Sequence, residues 1–257
     1  MTQSERRTYL IKYLLSEQAE YSGIEVPKAE RGQKYLLRSL FNVRMPSPAS
    51  DEFLEVQDAY LKAETAEKGV TDISDLHPIR SGIYLWQGDI TTLCCDAVVN
   101  AANSQLLGCF HPNHGCIDNA IHTYAGIQLR CECSELMKKQ GFAEPVGGAK
   151  LTKAYNLPCR YVLHTVGPFI DGGVTENDSE KLRGCYISCL SLAEENSIKS
   201  IAFPCISTGE FHFPNEKAAK IAVDTVREYT AGTESEIQAI FNVFKDRDYE
   251  IYKKLLG

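Results

Sequence analysis

Apolar positions recur at helical spacing through the first third of the chain. From Ser4 towards Gly23, Leu10, Ile11, Leu14 and Leu15 stack at turn spacing, and a second helix carries Leu36, Leu37, Leu40 and Phe41. A third starts at Ser50, with Asp51 and Glu52 in the first turn, where the helix dipole favours acids. Phe53, Gln57, Tyr60 and Leu61 follow along it, Gly69 marks its stop, and Met45-Pro46-Ser47-Pro48 separates it from the helix before. After Ser81 the pattern changes to short apolar runs alternating with longer helical stretches. The runs Ile83–Trp86, Ala97–Asn100, Ala149–Thr152, Tyr161–Thr165, Ser200–Phe203 and Ile237–Val243 predict strands. Ile117–Lys139, Ser179–Asn196, Asn215–Tyr229 and Asp246–Leu256 predict helices, and the loop from Asp171 to Asp178 predicts a mobile surface connection. The chain therefore divides near residue 80, into a helical extension (1–80) and an α/β layered domain (81–257) whose sheet is mostly parallel.

Composition adds limits. The 257 residues are 44% hydrophobic and 24% charged, which suits a chain with a sizeable core. The formal net charge of −7 removes the positive field on which non-specific nucleic-acid binding relies, so no nucleic-acid partner is expected. No apolar run approaches the roughly 20 residues that span a bilayer. Lys12 interrupts the apolar run near the N-terminus and no small-residue cleavage site follows, so the expectation is a cytoplasmic protein without a signal peptide or membrane partner. Ten cysteines are too sparse for a disulfide scaffold, and several sit in apolar runs, as small buried hydrophobes do. The thiols are expected free apart from any that hold metal.

Candidate chemistry gathers in four segments. In Trp86-Gln87-Gly88-Asp89-Ile90-Thr91 a strand ends in a tight turn, and Asp89 reads either as an acceptor for a ligand amine or as a turn cap. In Val98-Val99-Asn100-Ala101-Ala102-Asn103 a buried strand delivers the Asn103 amide to its carboxyl end, where open α/β sheets bind ligands. The loop Gly108-Cys109-Phe110-His111-Pro112-Asn113-His114-Gly115-Cys116 is the sharpest signal. Cys109, His114 and Cys116 form a C-x4-H-x-C triplet of the ligand types Zn²⁺ prefers. The residues leave three readings open: a catalytic zinc with one free position, a structural zinc completed by His111, and a loop without metal. Asp118 and His122, four apart on the following helix, share a face that looks towards this loop. Cys131 and Cys133 point about 200° apart on their helix, which argues against a second metal site there. In Phe203-Pro204-Cys205-Ile206-Ser207-Thr208-Gly209-Glu210-Phe211 a buried strand runs into a turn whose N–H groups can form an anion nest ahead of a helix N-terminus.

Together with Tyr161-Val162-Leu163-His164-Thr165-Val166-Gly167-Pro168, these segments resemble the macrodomain family, which binds ADP-ribose. The matching stretches stand in the family's order and span residues 80 to 257. The Cys/His loop replaces the glycine run most members carry after Asn-Ala-Ala-Asn. In this the chain resembles the zinc-containing macrodomain class, found in microbial pathogens with an N-terminal helical extension. The resemblance implies a three-layer α/β/α fold with a mixed, mostly parallel sheet behind that extension. It implies that Asp89 binds the adenine amino group, Ile90 flanks the ring and Asn103 holds the distal ribose, with His122 near the ligand. Cys109, His114 and Cys116 would ligate Zn²⁺ beside that ribose, and Asp118, matching the family's catalytic acidic position, would orient or deprotonate the attacking water, with Asn103 as its catalytic companion fixing the sugar. Ser207, Thr208, Gly209, Glu210 and Phe211 would wrap the diphosphate.

One residue departs from the pattern. Glu210 stands where members carry a small or aliphatic residue, and a carboxylate facing a diphosphate is repelled by about 1 kcal/mol for unit charges 4 Å apart in water. Its side chain is therefore expected to turn away, with only its N–H towards the ligand. The implied activity is zinc-dependent hydrolysis at the anomeric carbon of the distal ribose in acid-linked, mono-ADP-ribosylated protein. The alternatives are a reader that binds ADP-ribose without turnover and a structural-zinc module with a vestigial pocket. The resemblance also implies a sirtuin-like ADP-ribosyltransferase and a lipoylated carrier protein as partners.

Overall fold

Thr2 opens the first helix with a reciprocal capping box to Glu5, and the chain then runs through α1 (Gln3–Ser16), α2 (Glu30–Val43) and α3 (Asp51–Lys68). This is a computed structural model that describes residues 1–233 and 235–257. Leu10, Ile11, Leu14, Leu37, Leu40, Phe41, Phe53, Tyr60 and Leu61 form one buried cluster, which also takes in Ile127 from the layered part of the chain. The first helix stops at Ser16, short of the expected Gly23, and a 3₁₀ turn, Ala19–Tyr21, follows it.

The remaining elements are β1 (Thr71–Asp72), β2 (Ile83–Gln87), β3 (Leu93–Cys94), β4 (Ala97–Ala101), α4 (Ile117–Ala125), α5 (Ile127–Gln140), β5 (Ala149–Lys153), β6 (Tyr161–Thr165), α6 (Glu176–Glu195), β7 (Ser200–Phe203), α7 (Asn215–Thr233), β8 (Gln238–Val243) and α8 (Asp246–Leu256). A six-stranded sheet runs in the order β2-β8-β7-β4-β6-β5. All of its neighbours pair in parallel except β5 and β6, which pair antiparallel. The two-residue strands β1 and β3 pair separately and escaped the sequence reading, being too short to show a period.

Alternation along the strands builds two cores. Val99, Ile201, Phe203, Ala239 and Phe241 point to one face with Leu182, Tyr186, Val223 and Tyr252 from α6, α7 and α8. Val98, Ala202 and Ile240 point to the other, with Ile121, Leu129 and Cys133 from α4 and α5. The result is the expected three-layer α/β/α arrangement with a mixed, mostly parallel sheet.

The single helix expected over Ile117–Lys139 is two helices. Gly126, at φ +95°, breaks it, and a Cβ there would lie 2.7 Å from the side-chain amides of Gln57 and Gln128. Gln57 of α3 uses the gap to accept the Ile127 N–H at 3.0 Å, capping α5 from the helical extension. Helix α6 begins at Glu176, inside the stretch read as a surface connection, because Thr175 and Asp178 form a capping box. All ten cysteines are free thiols. Among the described residues, no helix is long and apolar enough to cross a membrane.

Candidate functional site

Parallel strands β2, β4, β6 and β7 end at the same edge of the sheet, so the segments that follow them share that edge. After β2, Asp89 acts as the turn cap, one of its two predicted readings. One carboxylate oxygen caps the 3₁₀ turn Ile90–Thr92 by accepting the Thr91 N–H at 3.0 Å and its hydroxyl at 2.6 Å. The other meets Lys68 Nζ, from the last turn of α3, at 2.8 Å. Burial pushes the Asp89 carboxyl up, but the Lys68 and Thr91 hydrogen bonds outweigh it and hold the group below the usual range. Lys68 also lies 3.3 Å from the centroid of the Tyr124 ring. Ile90 is buried beneath this turn.

After β4 the chain makes the Cys/His loop. The ligand atoms of Cys109, His114 and Cys116 all lie within 4.8 Å of one another, and each residue is half-buried. Cys109 Sγ sits 3.6 Å from His114 Nδ1. Cys116 is the N-cap of α4, where its sulfur accepts the Asn119 N–H at 3.4 Å and the helix dipole favours a thiolate. Burial pushes the Cys116 thiol up to about 12, with that N–H pulling the other way, so a proton or a cation has to hold the sulfur. His111 stays outside the group. Its ring stacks edge-on against His114 with centroids 5.2 Å apart. Two thiols and one imidazole are a donor set that suits tetrahedral zinc with one free position.

Beneath the loop, Asp118 is buried and its carboxylate takes two amides, from Asn100 Nδ2 at 2.8 Å and Asn103 Nδ2 at 3.3 Å. Burial pushes its carboxyl up to about 6 against the Asn100 hydrogen bond. Asn103 is pinned as well: its Nδ2 also reaches Gly108 O at 3.2 Å, and its Oδ1 accepts the Gln105 N–H at 3.0 Å. His122 faces inward, 3.6 Å from Asp118, and neither ring nitrogen has a hydrogen-bond partner among the described residues. Its ring underlies Gly108, where a Cβ would come within 2.7 Å of it.

His122 also meets Cys133 and His164, their ligand atoms within 4.8 Å. Reasoning from Cys131 and Cys133 on one helix missed this group, because α4, α5 and β6 each supply one member. Within it His164 is committed to hydrogen bonding: Asn100 Nδ2 donates to its Nδ1 at 3.1 Å, leaving Nε2 to donate to Thr152 Oγ1 at 2.9 Å. Burial pushes His164 down to about 3, so the ring stays neutral.

After β7 the chain turns through Ser207, at φ +64°, and returns with the Phe213 N–H on Ser207 O at 2.9 Å. Among the described residues, the N–H groups of Ser207, Gly209, Glu210 and Phe211 donate to no protein acceptor. The Ser207 hydroxyl is buried without a partner, close to where a Cβ on Gly167 would stand in the segment after β6. Phe211 packs edge-on to Phe169 with centroids 5.9 Å apart. Thr208 Oγ1 is turned back to Cys205 O at 2.9 Å. Glu210 is exposed and leans across to the Cys/His loop, its Oε1 3.5 Å from His114 Nε2.

A family model described as the macro domain matches residues 99–222, the stretch holding the Cys/His loop and the Ser207 turn. A protein of Treponema medium named protein-ADP-ribose hydrolase is 54% identical over 261 residues, covering 100% of both chains. This chain belongs to the macro domain family. A protein of the same name from Staphylococcus aureus is 48% identical over 254 residues, covering 98% of this chain and 95% of that one. A solved structure of a Trypanosoma brucei macrodomain in complex with ADP-ribose superposes with a TM-score of 0.64 at 33% identity, covering 86% of this chain and 95% of that one.

The sequence reading missed several polar residues that frame the site. Asn100, read as a strand end, ties Asp118 to His164. Lys68, which carried no motif, reaches Asp89 from the end of α3. Arg38 and Asn119 carried no motif at all. Their contacts join positions 81 residues apart, which spacing along the chain does not reveal.

Proposed function

We propose that this macro domain is a zinc-dependent hydrolase that removes mono-ADP-ribose from acid-linked protein side chains. The observation that carries the reading is the meeting of the Cys109–His114–Cys116 group, the Asn103 and Asp118 side chains and the unpartnered N–H groups of the Ser207 turn at one edge of the sheet. The names of the relatives point the same way. Asp89 would take the adenine amino group on carboxylate capacity left beside Lys68, with Ile90 under the ring. The N–H groups of Ser207, Gly209, Glu210 and Phe211 and the Ser207 hydroxyl, with Thr208 backing the turn, would hold the diphosphate. That grip positions the distal ribose against Asn103, whose amide is already oriented by Asp118.

Cys109, His114 and Cys116 would hold zinc, which would supply Lewis-acid polarisation of an oxygen on the substrate. Asp118, its carboxyl pushed up to about 6 by burial, would orient the attacking water or take a proton from it. His122 stands behind that carboxylate as a neutral support and not as a ligand contact. The modified protein is the substrate. A sirtuin-like transferase as the source of the modification, a lipoylated carrier as its bearer and a cytoplasmic setting complete the proposal.

The burial of Asp118 favours one competitor, a reader that binds ADP-ribose without turnover. Release of ADP-ribose from an acid-linked mono-ADP-ribosylated protein, measured before and after chelation with zinc quantified in both samples, separates the two. Turnover that vanishes with the metal and returns with zinc is expected. Cys116→Ala should lose turnover and zinc while keeping ADP-ribose binding, and equal loss of both would sink the catalytic role in favour of a structural one.

A further inference from the structure

The Cys/His loop has almost no hydrogen bonding of its own. It contains two left-handed residues, Gly108 at φ +79° and Asn113 at φ +53°, and one internal backbone bond, His114 N–H to His111 O at 3.2 Å. Its shape has to come from what surrounds it. Helix α2 supplies much of that surround through Arg38, Ser39 and Asn42, with Arg38 and Asn42 one turn apart on the same face. Arg38 Nη2 donates to His114 O at 3.0 Å and to Asn119 Oδ1 at 2.8 Å, and Nε reaches the same Asn119 oxygen at 3.2 Å. Asn119, fully buried, passes this hold onward: its Nδ2 donates to His111 O at 3.0 Å and its N–H to Cys116 Sγ at 3.4 Å. Asn42 Oδ1 accepts the Asn113 N–H at 2.9 Å, and Asn113 Nδ2 meets Ser39 Oγ.

We infer that Arg38 is a positioning residue for the metal group, so that the N-terminal helical extension forms part of the scaffold that sets the spacing of Cys109, His114 and Cys116. The inference rests on the zinc reading above. One guanidinium fixes the backbone of one ligand residue and, through Asn119, the sulfur of another. A planar fork can hold two acceptors at once in this way, whereas a lysine ammonium holds them only as a point charge. A ligand group loosened by loss of such outer contacts binds its metal about 10–100-fold more weakly.

The test uses the full chain as wild type, Arg38→Ala and Arg38→Lys. Zinc affinity is measured by competition with a chromophoric chelator, ADP-ribose binding by calorimetry, and thermal unfolding on the zinc-free protein. Arg38→Ala should weaken zinc by about tenfold or more, with Arg38→Lys recovering only part of the loss. ADP-ribose affinity should stay near wild type, and the zinc-free melting temperature should fall by only a few degrees, the share of the lost hydrogen bonds. Unchanged zinc affinity in Arg38→Ala overturns the inference, as does a zinc loss matched by equal losses in ADP-ribose affinity and melting temperature. Should the alanine variant fail to fold, Arg38→Lys carries the test: zinc affinity equal to wild type overturns the inference. A wild type that binds no zinc overturns the metal reading itself, an outcome distinct from a zinc-binding wild type whose affinity Arg38 does not affect.

Discussion

Ser207 offers a substitution whose effects on stability and on binding point in opposite directions. Its hydroxyl is buried with no hydrogen-bond partner among the described residues, while its backbone holds the turn through the Phe213 N–H on Ser207 O at 2.9 Å. A buried polar group left unpaired costs about 1–3 kcal/mol, so Ser207→Ala removes a penalty and leaves the backbone bond intact. The melting temperature should hold or rise. If the hydroxyl donates to a diphosphate oxygen in the complex, the same change loses a hydrogen bond to a charged group. Such a bond contributes about 1.5–3 kcal/mol, or roughly 10–100-fold in Kd. Thermal unfolding without ligand and calorimetric titration with ADP-ribose give the two numbers. A fall in melting temperature would show that the hydroxyl serves the fold. An unchanged Kd would show that it does not meet the ligand.

Gly108→Ala should act on stability and metal together. The site is left-handed at φ +79°, and the new Cβ would stand 2.7 Å from the buried His122 ring. The backbone contributes about 1 kcal/mol and the overpacking about 1–3 kcal/mol. For a chain of this size that lowers the melting temperature by about 2–4 °C per kcal/mol, and the displaced Cys109 should reduce zinc content. A variant with wild-type melting temperature and zinc would refute the close approach. Lys68→Met tests the ion pair at Asp89 by pH. The Asp89 carboxyl sits below its ordinary 3.8 in the fold, so its stabilisation is complete above that value and is lost as pH falls through the folded one. The wild type should exceed the variant by up to about 1 kcal/mol at neutral pH, because the pair is partly exposed. The gap should narrow below pH about 4, leaving the cation–π share, and a gap constant with pH would rule the pair out as its source. Glu210→Gln separates two orientations of the departing carboxylate. Leaning on His114, it should weaken zinc severalfold and leave the ADP-ribose Kd within about twofold. A much tighter Kd instead would mean the carboxylate faces the diphosphate.

Four of the six long strands, β2, β4, β6 and β7, could be read because each is a largely apolar run followed within two residues by glycine, asparagine or proline. Parallel strands covered on both faces carry that pattern. Cys109, His114 and Cys116 could be read because their spacing is local. Gly126 was passed over because one glycine inside a helical pattern is tolerated in most helices, and nothing in the string announces that Gln57 from another helix fills the gap. The same limit hid Arg38 and the His122–Cys133–His164 group. In each the partners lie on different elements, and only the fold makes them neighbours. Asp118 shows a subtler limit. Its i, i+4 relation to His122 gives a shared face, but the face turned out to be the buried one, against Asn100 and Asn103.

The structure's discomforts gather where the chemistry is proposed. Among the described residues, four of the six buried side-chain atoms without a hydrogen bond belong to Asn100, His122 and Ser207. Asn113, Ser207 and His212, three of the non-glycine residues with positive φ, lie in the Cys/His loop or the Ser207 turn. Backbone outside its favoured regions costs about 1–3 kcal/mol per residue and persists only where the surroundings impose it. The two cores and the helical cluster are well supplied with apolar contacts and can sustain that cost. The Ser207 turn, by contrast, keeps four N–H donors and one hydroxyl free of partners among the described residues. A fold optimised for stability alone would have spent those groups on itself, so substitutions here that raise the melting temperature should be the ones that weaken ligand or metal binding.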